Sequence, residues 1–198
     1  FCGVAATAAP AGAPSAQDVA AALDAAGRSS VAAKIVQSAA RGDYHRVLHW
    51  IELFRRTGGR LHWIAQTASE MHDLKQNIRI LAAADAIAVY HHGTNTDRHW
   101  FAGKMDVVRD RLKYIRDQGL LVGLGTHMPE VITFVEEHGW DIDFYMACFY
   151  NISTPERQSA LVTGRPVYQE ETFRPEDPAK MCQVIRATAK PCIAFKIL

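Results

Sequence analysis

Three histidines stand at the ends of two apolar segments, and their placement predicts an active site at one edge of a sheet. Residues 86–90 lead into His91 and His92, and residues 120–126 lead into His127. One helical segment, residues 97–118, lies between them, so the two apolar segments are expected to be consecutive parallel strands. In parallel barrels, side chains at the carboxyl ends of the strands usually form the active site.

These histidines are compatible with three kinds of chemistry. His91 and His127, with Glu70 from the preceding strand–loop unit, could bind Zn, Mn or Fe, which would activate water or polarise a carbonyl. The chain carries no HxH or HExxH signature at these positions. The histidines could instead act without metal as general acid and base, or bind a substrate anion. In the structural alternative, His91 or His92 points away from its neighbour and bonds a loop.

Lys196 is a second candidate for catalysis, because it lies near the end of the last apolar segment. Burying a lysine there is costly unless the amine is paired or functional. A desolvated amine could act as a nucleophile and form a Schiff base. Alternatively, Lys196 anchors a substrate carboxylate or phosphate, or pairs with Asp143 or Glu70.

Other polar residues fall at the same edge and could contact a substrate. The predicted substrate-binding residues are Gln66, His92, Asp97, Tyr150 and Asn151. Asp97 also has a simpler interpretation as the N-cap of the helix that follows it. Gly123 and Gly125 share a strand face with His127, and their missing side chains are expected to leave room for a ligand.

Alternating apolar segments and helical patterns position these residues. Strands are predicted over residues 60–67, 86–92, 120–127, 141–150 and 192–198, with a weaker signal over 31–36. Helices are predicted over residues 43–56, 73–84, 100–118, 129–139 and 177–188. This alternation predicts a TIM-barrel-type α/β fold with parallel, consecutive strands. An incomplete barrel is expected, because a closed one needs about 250 residues.

The ends of the chain differ from its middle. Residues 1–26 are rich in Ala, Gly, Pro and Ser, which predicts a flexible lead or the remnant of a secretory signal before a barrel domain over 27–198. The last predicted strand, residues 192–198, has no helix after it, so a fragment is expected. An uncovered edge strand favours association, so we expect a homo-oligomer, a complementing chain, or cover from the N-terminal segment.

Composition narrows the classes of partner. The net charge of the 198 residues is +1, which gives no electrostatic reason to expect nucleic acid or an anionic membrane. No segment is long and apolar enough for a membrane span. Cys148 and Cys192 lie in apolar runs, so we expect buried thiols rather than disulfide partners.

Several segments resemble a bacterial family of TIM-barrel proteins that is loosely grouped with aldo/keto-reductase-like barrels. The resemblance covers residues 43–198 and is carried by residues 63–70, 91–97, 123–131, 140–151 and 190–198. It implies an eight-stranded barrel whose final strand region is absent here, and export in many members. The Asp/Tyr/Lys/His tetrad of aldo/keto reductases cannot be placed on this sequence, so no catalytic residue carries over.

These observations favour an enzyme that acts on a small polar molecule. The first hypothesis is metal-assisted hydrolysis, isomerisation or lyase chemistry at the carboxyl ends of the strands. The second is an NAD(P)-dependent, aldo/keto-reductase-like oxidoreductase. The third is a binding or assembly protein that keeps the barrel without catalysis. The substrate is not identified by the sequence. Two compartments stay open: export, or otherwise the cytoplasm.

Overall fold

The computed structural model describes residues 48, 51, 54–55, 59–68, 73–153 and 173–197. The chain forms two compact units, Phe1–Ile64 and Ala65–Leu198. The predicted N-terminal lead and the weak strand signal over residues 31–36 lie outside the described residues. Within the described part, every helix is too short or too polar to cross a membrane.

The first unit contains a helix where the sequence predicts one. Leu48, Ile51, Phe54 and Arg55 are helical, in agreement with the apolar spacing over residues 43–56. Ile51 and Phe54 are buried. Gly59 follows, and its amide donates a hydrogen bond of 3.0 Å to the carbonyl of Phe54.

Five parallel strands form the sheet in chain order, and the predicted order of consecutive neighbours is confirmed. The strands are β1 (Ile64–Gln66), β2 (Ala88–His91), β3 (Leu121–Thr126), β4 (Phe144–Cys148) and β5 (Cys192–Phe195). The second unit's sheet curls as a half-barrel, which supports an incomplete, barrel-like α/β fold. Each strand is shorter than the segment predicted for it.

Five helices of the second unit accompany the strands in the described residues. They are α1 (Leu74–Ala83), α2 (Gly93–Phe101), α3 (Met105–Asp117), α4 (Pro129–Glu137) and α5 (Asp177–Ala187). Helix α3 buries Met105, Val108, Leu112 and Ile115, which recur at three- and four-residue spacing. Each fully buried side chain of this kind contributes roughly 1.5–3 kcal/mol.

The strand register assigns every side chain of the sheet to one of two faces. Tyr90 lies beside Gly123, and Gly123 lies beside Phe144, so these residues share a face that we call the glycine face. His91 lies beside Leu124, and Leu124 lies beside Tyr145, so these residues share the opposite face. We call the latter the helix face, because His91 reaches α3 and Tyr145 reaches α4.

The single helix predicted over residues 97–118 is wrong. The structure has two helices, α2 and α3, joined by a turn at Gly103, whose φ is +64°. The Lys104 amide donates to the His99 carbonyl over 2.8 Å, and the Gly103 amide donates to the Trp100 carbonyl over 3.0 Å. This pair of bonds is the Schellman termination, which favours glycine at the left-handed position.

The glycines of β3 fit close packing instead of leaving space for a ligand, which corrects the prediction for them. A Cβ atom on Gly123 would lie 2.3 Å from the Phe144 ring. A Cβ atom on Gly125 would lie 2.9 Å from the carbonyl oxygen of His91 and 3.0 Å from the amide nitrogen of Gly93. Gly125 therefore lets the start of α2 approach the backbone of β3.

The cysteine predictions are confirmed in part. Cys148 is a buried free thiol, as expected. Cys192 is also a free thiol, but it is only half-buried, because β5 is less covered than β4. Burial, followed by the charge of Glu136, raises the pKa of the Cys192 thiol.

Candidate active site

A buried histidine–aspartate pair lies at the carboxyl end of the sheet. His127 directly follows β3, and Asp97 lies in the second turn of α2. The Nδ1 atom of His127 is 2.6 Å from Oδ2 of Asp97. His127 is 5% exposed and Asp97 is 2% exposed, so the pair is shielded from water.

The Asp97 carboxylate accepts further hydrogen bonds that hold it in place. Thr126 Oγ1 donates to Oδ1 over 2.5 Å, and the His127 amide donates to Oδ2 over 3.3 Å. Ser153 Oγ also donates to Oδ2. These donors compensate for removing the carboxylate from water.

The predicted role of Asp97 as an N-cap is wrong. Helix α2 begins at Gly93, and His92 is its N-cap residue, with no side-chain capping bond. Asp97 therefore lies inside the helix, where its side chain is directed to His127 rather than to the helix amides. The Gly93 position helps to bring the two elements together, since a Cβ atom there would lie 3.3 Å from Cε1 of His127.

The pair defines which nitrogen of His127 can accept a proton. An ionised carboxylate only accepts hydrogen bonds, so the neutral imidazole carries its proton on Nδ1. Nε2 is then the basic nitrogen of the ring. This is the arrangement in which a buried carboxylate orients a histidine for general acid–base catalysis.

His127 lines a small cleft with a volume of about 140 Å³. The other residues lining it are Pro129, Glu130, Cys148, Phe149, Asn151, Asp177, Lys180 and Met181. One part of the lining is apolar, and the other carries two carboxylates, an amide and an ammonium group. This volume is below the usual range for drug-sized ligands, about 300–1,000 Å³, so a small polar molecule fits best.

Asn151 and Asp177 tie the far side of the cleft together. The backbone N–H of Asn151 donates to Oδ2 of Asp177 over 3.1 Å, and Lys180 Nζ is 3.9 Å from Oδ1 of the same carboxylate. The Ser153 amide donates to Oδ1 of Asn151 over 3.3 Å. Since Ser153 also contacts Asp97, residues 151–153 connect the acidic side of the cleft with the histidine pair.

His91 lies on the opposite face of the sheet from His127, so the prediction that the two rings share a ligand is wrong. His91 is on the helix face, whereas the His127 ring packs edge-on against Phe195 on the glycine face, at a centroid distance of 5.9 Å. Side chains alternate between the two faces along a strand, and His91 shares its face with Leu124. His127 is three residues after Leu124, an odd number, so it lies on the other face.

Both ring nitrogens of His91 are already engaged. Nδ1 is 2.8 Å from Oγ1 of Thr96, and Nη1 of Arg111 donates to Nε2 over 3.2 Å. Burial, reinforced by the charge of Arg111, holds the pKa of His91 well below its usual range. These contacts join His91 to α2 and α3 and leave neither ring nitrogen directed to the cleft beside His127.

The proposed metal ligands Glu70, His91 and His127 do not form a set in the described residues. Glu70 lies outside them, and His91 is engaged on the other face. No group of three or more His, Cys, Asp or Glu side chains in the described ranges is arranged to hold a metal ion. A metal centre that includes Glu70 therefore stays a prediction.

The remaining predicted site residues are distributed around the same edge. Tyr90 Oη donates to Oε1 of Gln66 over 2.7 Å, and the amide of His92 donates to Oγ1 of Thr67 over 3.0 Å. The Tyr150 ring packs against Phe173 at a centroid distance of 5.1 Å. Of the predicted substrate-binding residues, only Asn151 lines the described cleft, and Asp97 contacts it through His127.

Lys196 lies just beyond β5, with a φ of +53°. Its Nζ atom is 5.9 Å from the centroid of the Phe173 ring, and the residue is half-buried. The ion pair considered with Asp143 is not present, because Asp143 pairs with Arg116 over 2.8 Å. Lys196 does not line the described cleft.

Sequence reasoning missed several residues of the site. Thr126 and Ser153 support Asp97, and Glu130, Asp177 and Lys180 line the cleft. Asp177 and Lys180 stand at the start of a predicted helix beside the carboxyl edge, which is a usable signal for α5. Ser153 carries no such signal, since its contact with Asp97 spans 56 residues of sequence.

No family model, curated protein or solved structure matches this chain.

Proposed function

We propose that this protein is an enzyme that acts on a small polar molecule in the cleft beside His127. The His127–Asp97 pair would transfer a proton through Nε2 of His127, without a metal. The observation that carries this proposal is the 2.6 Å contact between Nδ1 of His127 and Oδ2 of Asp97 at the carboxyl end of the sheet. In parallel barrels, this edge is where catalytic residues stand.

The polar lining of the cleft supports a substrate with several hydrogen-bonding groups. Glu130 and Asp177 supply carboxylates, Asn151 an amide and Lys180 an ammonium group. Pro129 and Met181 supply an apolar contact. We propose a hydroxylated or amino-bearing small molecule as the substrate. His127 would remove a proton from this molecule in isomerisation or elimination, or from the attacking water in hydrolysis. We also propose that the fold is of the TIM-barrel type. The parallel strands in chain order, with helices between successive strands, support this part of the proposal.

A substrate search with matched variants tests the proposal. The protein is incubated with a mixture of small polyols, amines and hydroxy acids, and NMR follows their consumption. We expect His127→Gln to lower the rate of consumption at least about 100-fold, the usual contribution of a positioned acid or base. His138→Gln makes the same chemical change at an exposed histidine and should keep the parental rate.

The outcomes also separate catalysis from simple binding. Equal rates for the parent and His127→Gln would exclude His127 as the proton-transfer group. Saturable binding without consumption, weakened by Asp177→Asn, would favour the non-catalytic binding protein. The NAD(P)-dependent alternative stays a prediction, and consumption that requires added NADPH would support it.

A further inference from the structure

A half-buried arginine on the helix face has two imidazoles as partners. Nη1 of Arg111 donates to Nε2 of His91 over 3.2 Å and to Nε2 of His99 over 2.9 Å. These two bonds use both N–H groups of Nη1. His91 is fixed in turn by Thr96, whose hydroxyl donates to the carbonyl of His92 over 3.2 Å.

The guanidinium keeps unused donors. A guanidinium has five N–H groups, and no hydrogen bond to Nε or Nη2 of Arg111 occurs within the described parts of the chain. No carboxylate in those parts pairs with it either. A cation that is partly removed from water without a counter-charge is costly, so an anion beside it would be stabilised.

The surroundings of His99 are mainly positive. Lys104 and Arg98 act on His99 together with Arg111, and Asp106 is the opposing negative charge. Burial is the largest cause that lowers the pKa of His99, and Arg111 is the next. Lys104 stands at the N-cap of α3, whose first amides also favour an anion.

We propose that Arg111, His99 and Lys104 form a binding site for a small oxyanion, such as phosphate or the phosphoryl group of a metabolite. The planar guanidinium presents paired N–H groups that match two oxygens of an oxyanion. His91 and His99 fix the orientation of the guanidinium by accepting from Nη1, so its other edge is pre-organised. This site lies on the opposite face of the sheet from His127 and does not depend on the proposed reaction.

An NMR titration with inorganic phosphate tests this site. The full chain is labelled with 15N at histidine and titrated at constant ionic strength, with acetate as the comparison anion. We expect saturable changes at the ring resonances of His99 and His91, none at His138, and tighter binding of phosphate than of acetate. Bound phosphate should also raise the pKa of His99, because its negative charge offsets the positive charge of Arg111.

Variants on the same helix identify the binding residue. Arg111→Gln should weaken phosphate binding at least about tenfold, the loss expected for a charge-assisted hydrogen bond. Arg109→Gln removes an equal charge from an exposed position of α3 and should retain binding. If Arg111→Gln does not fold, Arg111→Lys replaces it as the test. Lysine keeps the charge but lacks the paired N–H groups of the guanidinium, so the same weakening of phosphate binding is expected.

Three results would overturn the proposal. The first is a parent protein whose His99 and His91 resonances show no saturable response to phosphate. The second is a folded Arg111→Gln or Arg111→Lys variant that binds phosphate as tightly as the parent. The third is equal affinity for acetate and phosphate, because that would indicate attraction to charge without a site for an oxyanion.

Discussion

At the scale of single residues, two histidines at similar positions differ because of the face on which each lies. His91 ends β2 on the helix face, where Thr96 and Arg111 engage both nitrogens and burial keeps the ring neutral. His127 follows β3 on the glycine face, where Asp97 holds Nδ1 and the ring lines a cleft. Residue type and distance from the strand end are therefore insufficient to predict which histidine lines a cleft.

We predict that Asp97→Asn changes the tautomer of His127. The amide NH2 of asparagine places a donor where the carboxylate now accepts, so the form protonated at Nε2 should appear. The free energy of unfolding should fall by about 1–3 kcal/mol, since an NH2 group replaces one of the two oxygens that accept from buried donors. Ring 15N chemical shifts and chemical denaturation measure both effects. Asp106→Asn, at an exposed position, is the control, and an unchanged tautomer in Asp97→Asn would contradict the assignment.

We also predict that His91 makes folding stability depend on pH below neutrality. Its pKa in the folded state is lowered, first by burial and then by Arg111, whereas an unfolded histidine titrates near 6.5. As the pH falls below about 6.5, only the unfolded chain gains this proton, so stability falls by up to about 1.4 kcal/mol per pH unit. The loss continues until the pH reaches the lowered pKa of the folded state.

Chemical denaturation between pH 7 and 5 measures this contribution. His91→Gln retains an acceptor for Arg111 but cannot titrate, so its stability should change less steeply with pH than that of the parent. His138→Gln, at an exposed position, should keep the parental slope. Parallel curves for the parent and His91→Gln would show that His91 does not titrate differently in the two states.

At the scale of elements, close backbone approach decides how β3 and α2 bring the site together. Gly125 lies against the carbonyl of His91 and the amide of Gly93, the residue at which α2 begins. Asp97 follows one turn later and reaches His127 from that position. A glycine in the middle of a strand thus contributes to the geometry of the His127–Asp97 pair.

We predict that Gly125→Ala destabilises the fold by about 1–3 kcal/mol, the usual effect of overpacking. The added Cβ would meet backbone atoms at 2.9 and 3.0 Å, and backbone cannot move aside as a side chain can. Gly103→Asn is the control, since space around Gly103 is open and asparagine tolerates its left-handed conformation. Chemical denaturation compares the two variants, and equal stabilities would contradict this account.

At the scale of the whole molecule, the sheet is covered unevenly. Every residue of β4 is buried, whereas every residue of β5 is only half-buried. In the described part of the chain, β5 pairs with β4 alone. Ile197, just beyond it, is 66% exposed. This uneven cover agrees with the expectation of an associating edge, which stays a prediction.

We predict that the 198-residue chain associates through β5 at micromolar concentration. Ile193→Lys places a charge on the half-buried strand β5 and should shift the population toward a 22.0 kDa monomer. Ile80→Lys adds the same charge to an exposed position of α1 and should leave association unchanged. Light scattering measures the molar mass. A parent protein that is monomeric over this range, with β5 accessible to hydrogen exchange, would refute the prediction.

The sequence by itself determined the order and type of the elements and the edge at which chemistry is expected. Apolar segments and helical spacing predicted five consecutive parallel strands, and they placed His127 and Asn151 at strand ends. These features depend on local periodicity, which the chain carries within any short window. The buried thiol of Cys148 was predictable for the same reason.

Only the tertiary structure decided which of these residues work together. The pairing of Asp97 with His127 spans 30 residues, and Asp97 looked like a helix cap from its neighbours alone. The separation of His91 from His127 depends on strand register, because a shift of one residue exchanges the two faces of a strand. The roles of Gly123 and Gly125 depend on neighbouring strands and helices. Contacts of this kind join distant segments, so local pattern cannot specify them.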